Sequence, residues 1–100
     1  RQMCIRDRLR AGAVMGFAGL WSVWTGADDK HVFTCCVITT TANELVRPFH
    51  ERMPAILEPA DNAAWLNAHT PKKTLGALLK TYPADLMEVR EANPLVNSAK

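Results

Sequence analysis

The sequence has no apolar run approaching the roughly 20 residues that span a bilayer. Its N-terminus, "RQMCIRDRLR", carries no long apolar stretch of the kind a secretory signal needs. Neither a membrane-spanning helix nor a leader is expected. Charge of one sign is scarce as well: 12 Lys+Arg against 10 Asp+Glu leave a net charge of +2. So mild a bias neither demands nor excludes a nucleic-acid partner, and a solvated mixed-charge surface is the default. Cysteine is limited to Cys4, Cys35 and Cys36. An odd count with one adjacent pair is a poor disulfide framework. Adjacent residues on a strand point to opposite faces, so Cys35 and Cys36 cannot jointly hold a metal in regular strand geometry. A reducing compartment follows, with both as ordinary strand residues. The P-loop, G-x-S-x-G and H-E-x-x-H signatures are absent, as are repeats, low-complexity tracts and linkers.

What is present reads as globular. Apolar residues make up 48% and charged residues 22% of 100 positions, which suits one domain or a piece of one with little surplus stability. Residues 1–8 show no period, carry four charged residues, and receive no structural assignment; they read as a frayed terminus or as non-native sequence. "VMGFAGLWSVW" (14–24) looks like a buried strand, its glycines marking close backbone approach or a bulge. After the turn "TGADDK", "HVFTCCVITT" (31–40) reads as its hairpin partner. Thr41 and Glu44 have capping-box spacing for a short helix that Pro48 must end. "MPAIL" (53–57) suits a short strand with Pro54 at an edge or bulge. A helix after Pro59 should bury Trp65 and Leu66, and a second after Pro71 carries the stripe Leu75, Leu78, Leu79. Alternation after Leu86 predicts a last half-buried strand. The expected class is α+β and β-rich, in the order β-β-α-β-α-α-β, with unpaired edges suggesting an incomplete domain.

The most informative stretch is "RPFHERMPAIL" (47–57). An imidazole exchanges protons near neutral pH. If the backbone is extended, His50 and Arg52 share a face while Glu51 points away. A His and an Arg on one face suit an anion such as a phosphate, with Arg as a bidentate anchor. From spacing alone, an ordinary solvated turn is the simpler account of the same residues. His31 and His69 have no partner at metal-ligand spacing and read as surface or capping residues. Trp21, Trp24 and Phe17 could stack on bases, but their place in an apolar run favours core packing.

A longer pattern runs through these segments: "FAGLW…W", then "TCCVITTTANELVRPFHERMPAIL", then "AWL", then "LLKTYPADLMEV", and last "VNS". It resembles the C-terminal half of an SRAP (SOS response-associated peptidase) domain over residues 9–100. The most specific block follows the form ITT-x-AN-x-L-x-x-x-H-x-RMP-x-IL. The resemblance implies a compact β-rich domain that senses abasic sites in single-stranded DNA. In that family an N-terminal cysteine, exposed once the start methionine is removed, attacks the ring-opened sugar aldehyde and leaves a stable thiazolidine crosslink. A glutamate from an upstream aromatic-rich motif and a histidine from the H-x-R-x-P motif assist, and a protease-like self-processing activity is implied as well.

Carried over by position, His50 matches that histidine and would assist proton transfer at the sugar. Arg52 matches the arginine two positions on, a phosphate contact, and Asn97 matches an asparagine near the domain's end within the DNA-binding set. "MCIR" at 3–6 stands just ahead of a middle-of-domain strand, so Cys4 is not given the nucleophile role. The resemblance implies no cofactor, no metal and no membrane. It implies a monomeric, cytoplasmic protein that joins the nucleoid when bound to DNA. The chain by itself is expected to be inactive in crosslinking. The rivals are a noncatalytic single-stranded nucleic-acid-binding module and a peptidase or other hydrolase, for which His50 has no Ser or Cys partner by motif.

Overall fold

A computed structural model describes residues 5–10, 12 and 14–97. Among the described residues it is β-rich, with eight strands in four antiparallel two-stranded ladders and two short helices. β3 (Gly19–Thr25) and β4 (His31–Val37) form the expected hairpin, in the register Trp21↔Cys35 and Val23↔Phe33. Its turn closes where the Asp29 amide donates to the Gly26 carbonyl at 3.1 Å, with Asp29 in the left-handed region at φ 61°. Gly19 is a site of close approach: a Cβ there would lie 3.0 Å from the Cys36 carbonyl oxygen.

Three of the expected strands are each interrupted once, and the interruptions meet. The first run divides at Ala18 into β2 (Gly16–Phe17) and β3. The second divides at Ile38 into β4 and β5 (Thr39–Thr41). The third divides at Ala55 into β6 (Arg52–Pro54) and β7 (Ile56–Leu57). The Ala18 amide donates to the Ala55 carbonyl at 2.8 Å, Ala55 to Ile38 at 2.8 Å, and Ile38 to Ala18 at 2.9 Å. This closed ring of three hydrogen bonds is where each strand changes partner. β2 goes on with β7, β5 with β6, and β3 with β4. Both alanines are fully buried, and Leu57, Ile38, Trp65, Leu78 and Leu79 pack around them.

The sequence assigned residues 1–8 no element, yet β1 (Ile5–Leu9) pairs antiparallel with β8 (Met87–Glu91). Leu9 and Met87 sit opposite each other in a second cluster with Ala42, Val46, Met53, Ile56 and Tyr82. β8 is the predicted last strand, with Met87 buried and Val89 half-buried.

The helices are α1 (Asn62–Leu66), entered through a 3-10 turn at Pro59–Asp61, and α2 (Lys72–Leu78). Trp65 is half-buried and its indole N–H donates to the Gly19 carbonyl at 3.1 Å. Leu66, expected to be buried, is 82% exposed, because a helix of little more than one turn presents one face only. The short helix expected from Thr41 is instead a run of turns over residues 44–49, capped by Asn43.

The larger departure concerns the aromatic residues. Core packing was expected for Trp21, Trp24 and Phe17, but they are 74%, 63% and 46% exposed. β3 and β4 pair only with each other, and among the described residues no third layer covers either face of the hairpin. Trp21 and Phe33 share one face; Leu20, Trp24 and Val32 share the other.

Candidate functional site

The local sequence around His50 folds by capping. Asn43 is buried at 6% exposure, and its Oδ1 accepts from the Leu45 and Val46 amides, each at 3.1 Å. These are the free amides that a cap satisfies at the start of a helical turn. The turn then closes with the Arg47 amide on the Asn43 carbonyl at 2.9 Å. The amides of Phe49 and His50 both donate to the Val46 carbonyl, at 2.8 and 3.1 Å. Pro48 has no amide to extend the turn, so the chain leaves it at His50 and enters β6. Val46, half-buried Leu45 and Met53 hold the turn against the cluster built on Met87 and Tyr82.

His50 and Arg52 come together on one open cavity of about 420 Å³. Thr39, Val46, Met53 and Pro54 line it with them, and Asp7 of β1 stands on its wall. The His50 ring lies back on the strand that follows it. Its Nδ1 accepts from the Arg52 amide at 3.0 Å and lies 3.1 Å from the Arg52 carbonyl oxygen. Nε2 makes no hydrogen bond among the described residues. The Arg52 side chain runs across the ladder to β5, where its Nη2 donates to the Thr39 carbonyl at 2.8 Å and to the Thr39 hydroxyl at 3.2 Å.

That contact refines the expected anion grip. Nη2 belongs to both bidentate edges of a guanidinium, so a two-point hold on an anion would compete with Thr39. Nε and Nη1 make no hydrogen bond among the described residues, and each offers a single contact. The arginine is both a brace on β5 and a cation at the cavity.

The other candidates lie elsewhere. Asn97 closes the last 3-10 turn, Pro94–Asn97, and its side chain is outside the described residues. Cys4 is outside them too. Cys35 and Cys36 are free and exposed on opposite faces of β4. His31 starts β4 with its Nδ1 3.1 Å from the Thr25 hydroxyl, and His69 is exposed between the helices. Among the described residues no group of three or more His, Cys, Asp or Glu is placed to hold a metal, and no helix is long and apolar enough to cross a membrane.

Two residues of the site were not singled out from sequence. Thr39 holds the arginine, and Asn43 builds the turn that carries the histidine. Their signal was present in the block "TTTAN", but Thr41 with Glu44 offered a capping pair of equal plausibility two residues earlier. Asn43 wins because its side chain also reaches the Tyr82 carbonyl, at 2.8 Å, from inside the core.

Comparisons with known proteins bear on the same residues. The family model for SOS response associated peptidase (SRAP) matches residues 3–99. The chain is 40% identical over 100 residues to the abasic site processing protein YoqW of Bacillus subtilis (strain 168). It is likewise 40% identical over 100 residues to the abasic site processing protein YoaM of the same strain. Each alignment covers 96% of this chain and 43% of the relative, so the chain spans less than half of either protein. Among solved structures, a protein of Bordetella bronchiseptica superposes with a TM-score of 0.78 at 28% identity, over 89% of this chain and 44% of that one. A protein of Bacteroides thetaiotaomicron superposes with a TM-score of 0.81 at 24% identity, over 91% of this chain and 41% of that one, a likeness of fold.

Proposed function

The chain belongs to the SOS response associated peptidase (SRAP) family, and from that membership we propose that it is the C-terminal, histidine-bearing part of a protein that processes abasic sites in single-stranded DNA. The observation that carries the proposal is the cavity that holds His50 and Arg52 together, within a chain 40% identical to proteins named for abasic site processing.

In this reading the abasic sugar sits against His50 Nε2, the ring nitrogen without a hydrogen bond among the described residues, and His50 moves a proton at the sugar. Arg52 steadies a neighbouring phosphate through Nε or Nη1 while Nη2 stays on Thr39. Asn97 contributes to the DNA contact from the end of the domain. The intact protein attacks the ring-opened aldehyde with an N-terminal cysteine, a role not given to Cys4, and forms a thiazolidine crosslink. It works as a monomer in the cytoplasm. The 100-residue chain alone forms no crosslink.

The test is incubation with single-stranded DNA carrying one abasic site, followed by a denaturing gel. The intact protein should give a covalent band that an undamaged strand does not give, and the 100-residue chain should give none. A band from the chain that disappears in Cys4→Ala overturns the assignment of the nucleophile. No band from the intact protein overturns the function.

The exposed aromatic residues of the hairpin favour a second reading, a noncatalytic binder of single strands that stacks bases on Trp21 and Phe33. Equal affinity for abasic and undamaged strands, with no covalent product, would support it.

A further inference from the structure

His50 Nδ1 faces both polar groups of one residue: the Arg52 amide at 3.0 Å and the Arg52 carbonyl oxygen at 3.1 Å. An amide always donates, so the nitrogen it points at must present a lone pair. We infer that the Arg52 main chain sets the tautomer of His50, with the neutral ring carrying its proton on Nε2. The nitrogen left over for the cavity is then a donor.

The alternative tautomer is disfavoured by the same contacts. A proton on Nδ1 would meet the Arg52 N–H head on. That proton has the Arg52 carbonyl oxygen 3.1 Å away as an acceptor, but the amide would lose its own. The imidazolium meets the same cost, since its Nδ1 proton takes the Arg52 carbonyl as acceptor and faces the amide, but it too carries a proton on Nε2. Nε2 is therefore a donor both in the neutral ring that the amide selects and in the imidazolium. Such a group recognises an oxygen acceptor, whether hydroxyl, ring oxygen or phosphate, and does not accept a proton from its ligand. Resting on the abasic-site reading above, this makes His50 the hydrogen-bond donor at the sugar, and a proton it transfers comes from the imidazolium, whose remaining proton then stays on Nδ1 against the Arg52 carbonyl. Any base in the reaction is a different group.

The coupling is local and needs no other residue. His50 and Arg52 are two positions apart, and the turn capped by Asn43 delivers the ring onto the amide. His31 is the natural comparison: its Nδ1 faces the Thr25 hydroxyl, which donates or accepts and so leaves the tautomer open. His69 is exposed and has no such partner among the described residues.

Nuclear magnetic resonance of the 15N-labelled 100-residue chain reads the tautomer directly. Long-range proton–nitrogen correlations are recorded where the rings are neutral, and the His50 signals are identified by their loss in His50→Gln. The expected result is a pyridine-type Nδ1, a pyrrole-type Nε2, and a scalar coupling across the Arg52 N–H···Nδ1 bond. A pyrrole-type Nδ1, or averaged shifts like those of a freely solvated ring, would overturn the inference. In the intact protein, His50→Gln should retain more crosslinking rate than His50→Asn, because only glutamine reaches the Nε2 position with an N–H. Equal loss in both variants would count against the donor role. The spectrum needs no DNA, so a failed tautomer and a failed abasic-site function are told apart.

Discussion

The side-chain amide of Asn43 donates to the main-chain carbonyl of Tyr82 at 2.8 Å, while its oxygen caps the turn that ends at His50. One buried side chain thus joins the approach to β8 to the start of the site. Asn43→Ala strands the Tyr82 carbonyl and two amides where they have no other partner, an expected loss of about 2–3 kcal/mol. Asn43→Asp keeps the capping oxygen but sets it against the Tyr82 carbonyl, and should be no milder. Urea unfolding of the two variants checks this; a wild-type midpoint for Asn43→Ala would refute the hub.

His50→Ala in the intact protein should slow crosslinking to abasic single strands by about a hundredfold or more, the range typical of a lost acid–base group. DNA affinity should change little, since in the proposed function the ring acts at the sugar while Arg52 holds the phosphate. Single-turnover time courses on denaturing gels give the rate, and equal rates for the two proteins would rule out a part in the chemistry.

Arg52→Ala should weaken binding to any single strand and lower the slope of log affinity against log salt by about one. Arg52→Lys restores the charge but not the planar guanidinium whose Nη2 reaches both the Thr39 carbonyl and hydroxyl, so it should recover the salt slope more fully than the stability. Titrations over a range of salt, paired with thermal melts, separate the two. A slope unchanged in Arg52→Ala would remove the phosphate from the proposal.

Within the 100-residue chain, Trp21→Ala should shift stability by less than about 1 kcal/mol, since the indole is 74% exposed. Met87→Ala, at a fully buried position opposite Leu9, should cost about 3 kcal/mol. Chemical denaturation ranks them, and a larger loss for tryptophan would show the hairpin to be covered.

Much of this was legible in the residues themselves. Alternation and turn chemistry placed the hairpin, the strand at Met87 and the stripe Leu75, Leu78, Leu79, because those signals are local. The block "HERMP" put His50 and Arg52 on one face for the same reason. What was hidden depends on partners far away in the chain. Nothing near Leu66 or Trp21 says whether a neighbour will cover them. β1 carries no period of its own and takes its place from β8. Asn43 outcompetes Thr41 as a cap through a contact with Tyr82, which no window around residue 43 contains.

The ring joining Ala18, Ile38 and Ala55 bears on how the chain folds. Its three amides come from segments well separated in sequence, and each bond fixes only one side of the junction. Closing it requires two long loops to be ordered before the last bond forms, and loop entropy makes that late and slow. The hairpin β3–β4 can zip by itself, but the partner exchange that places β6 on β5, and with it the Arg52 guanidinium on Thr39, waits for the third strand to arrive. The site is therefore among the last parts of the molecule to acquire its geometry.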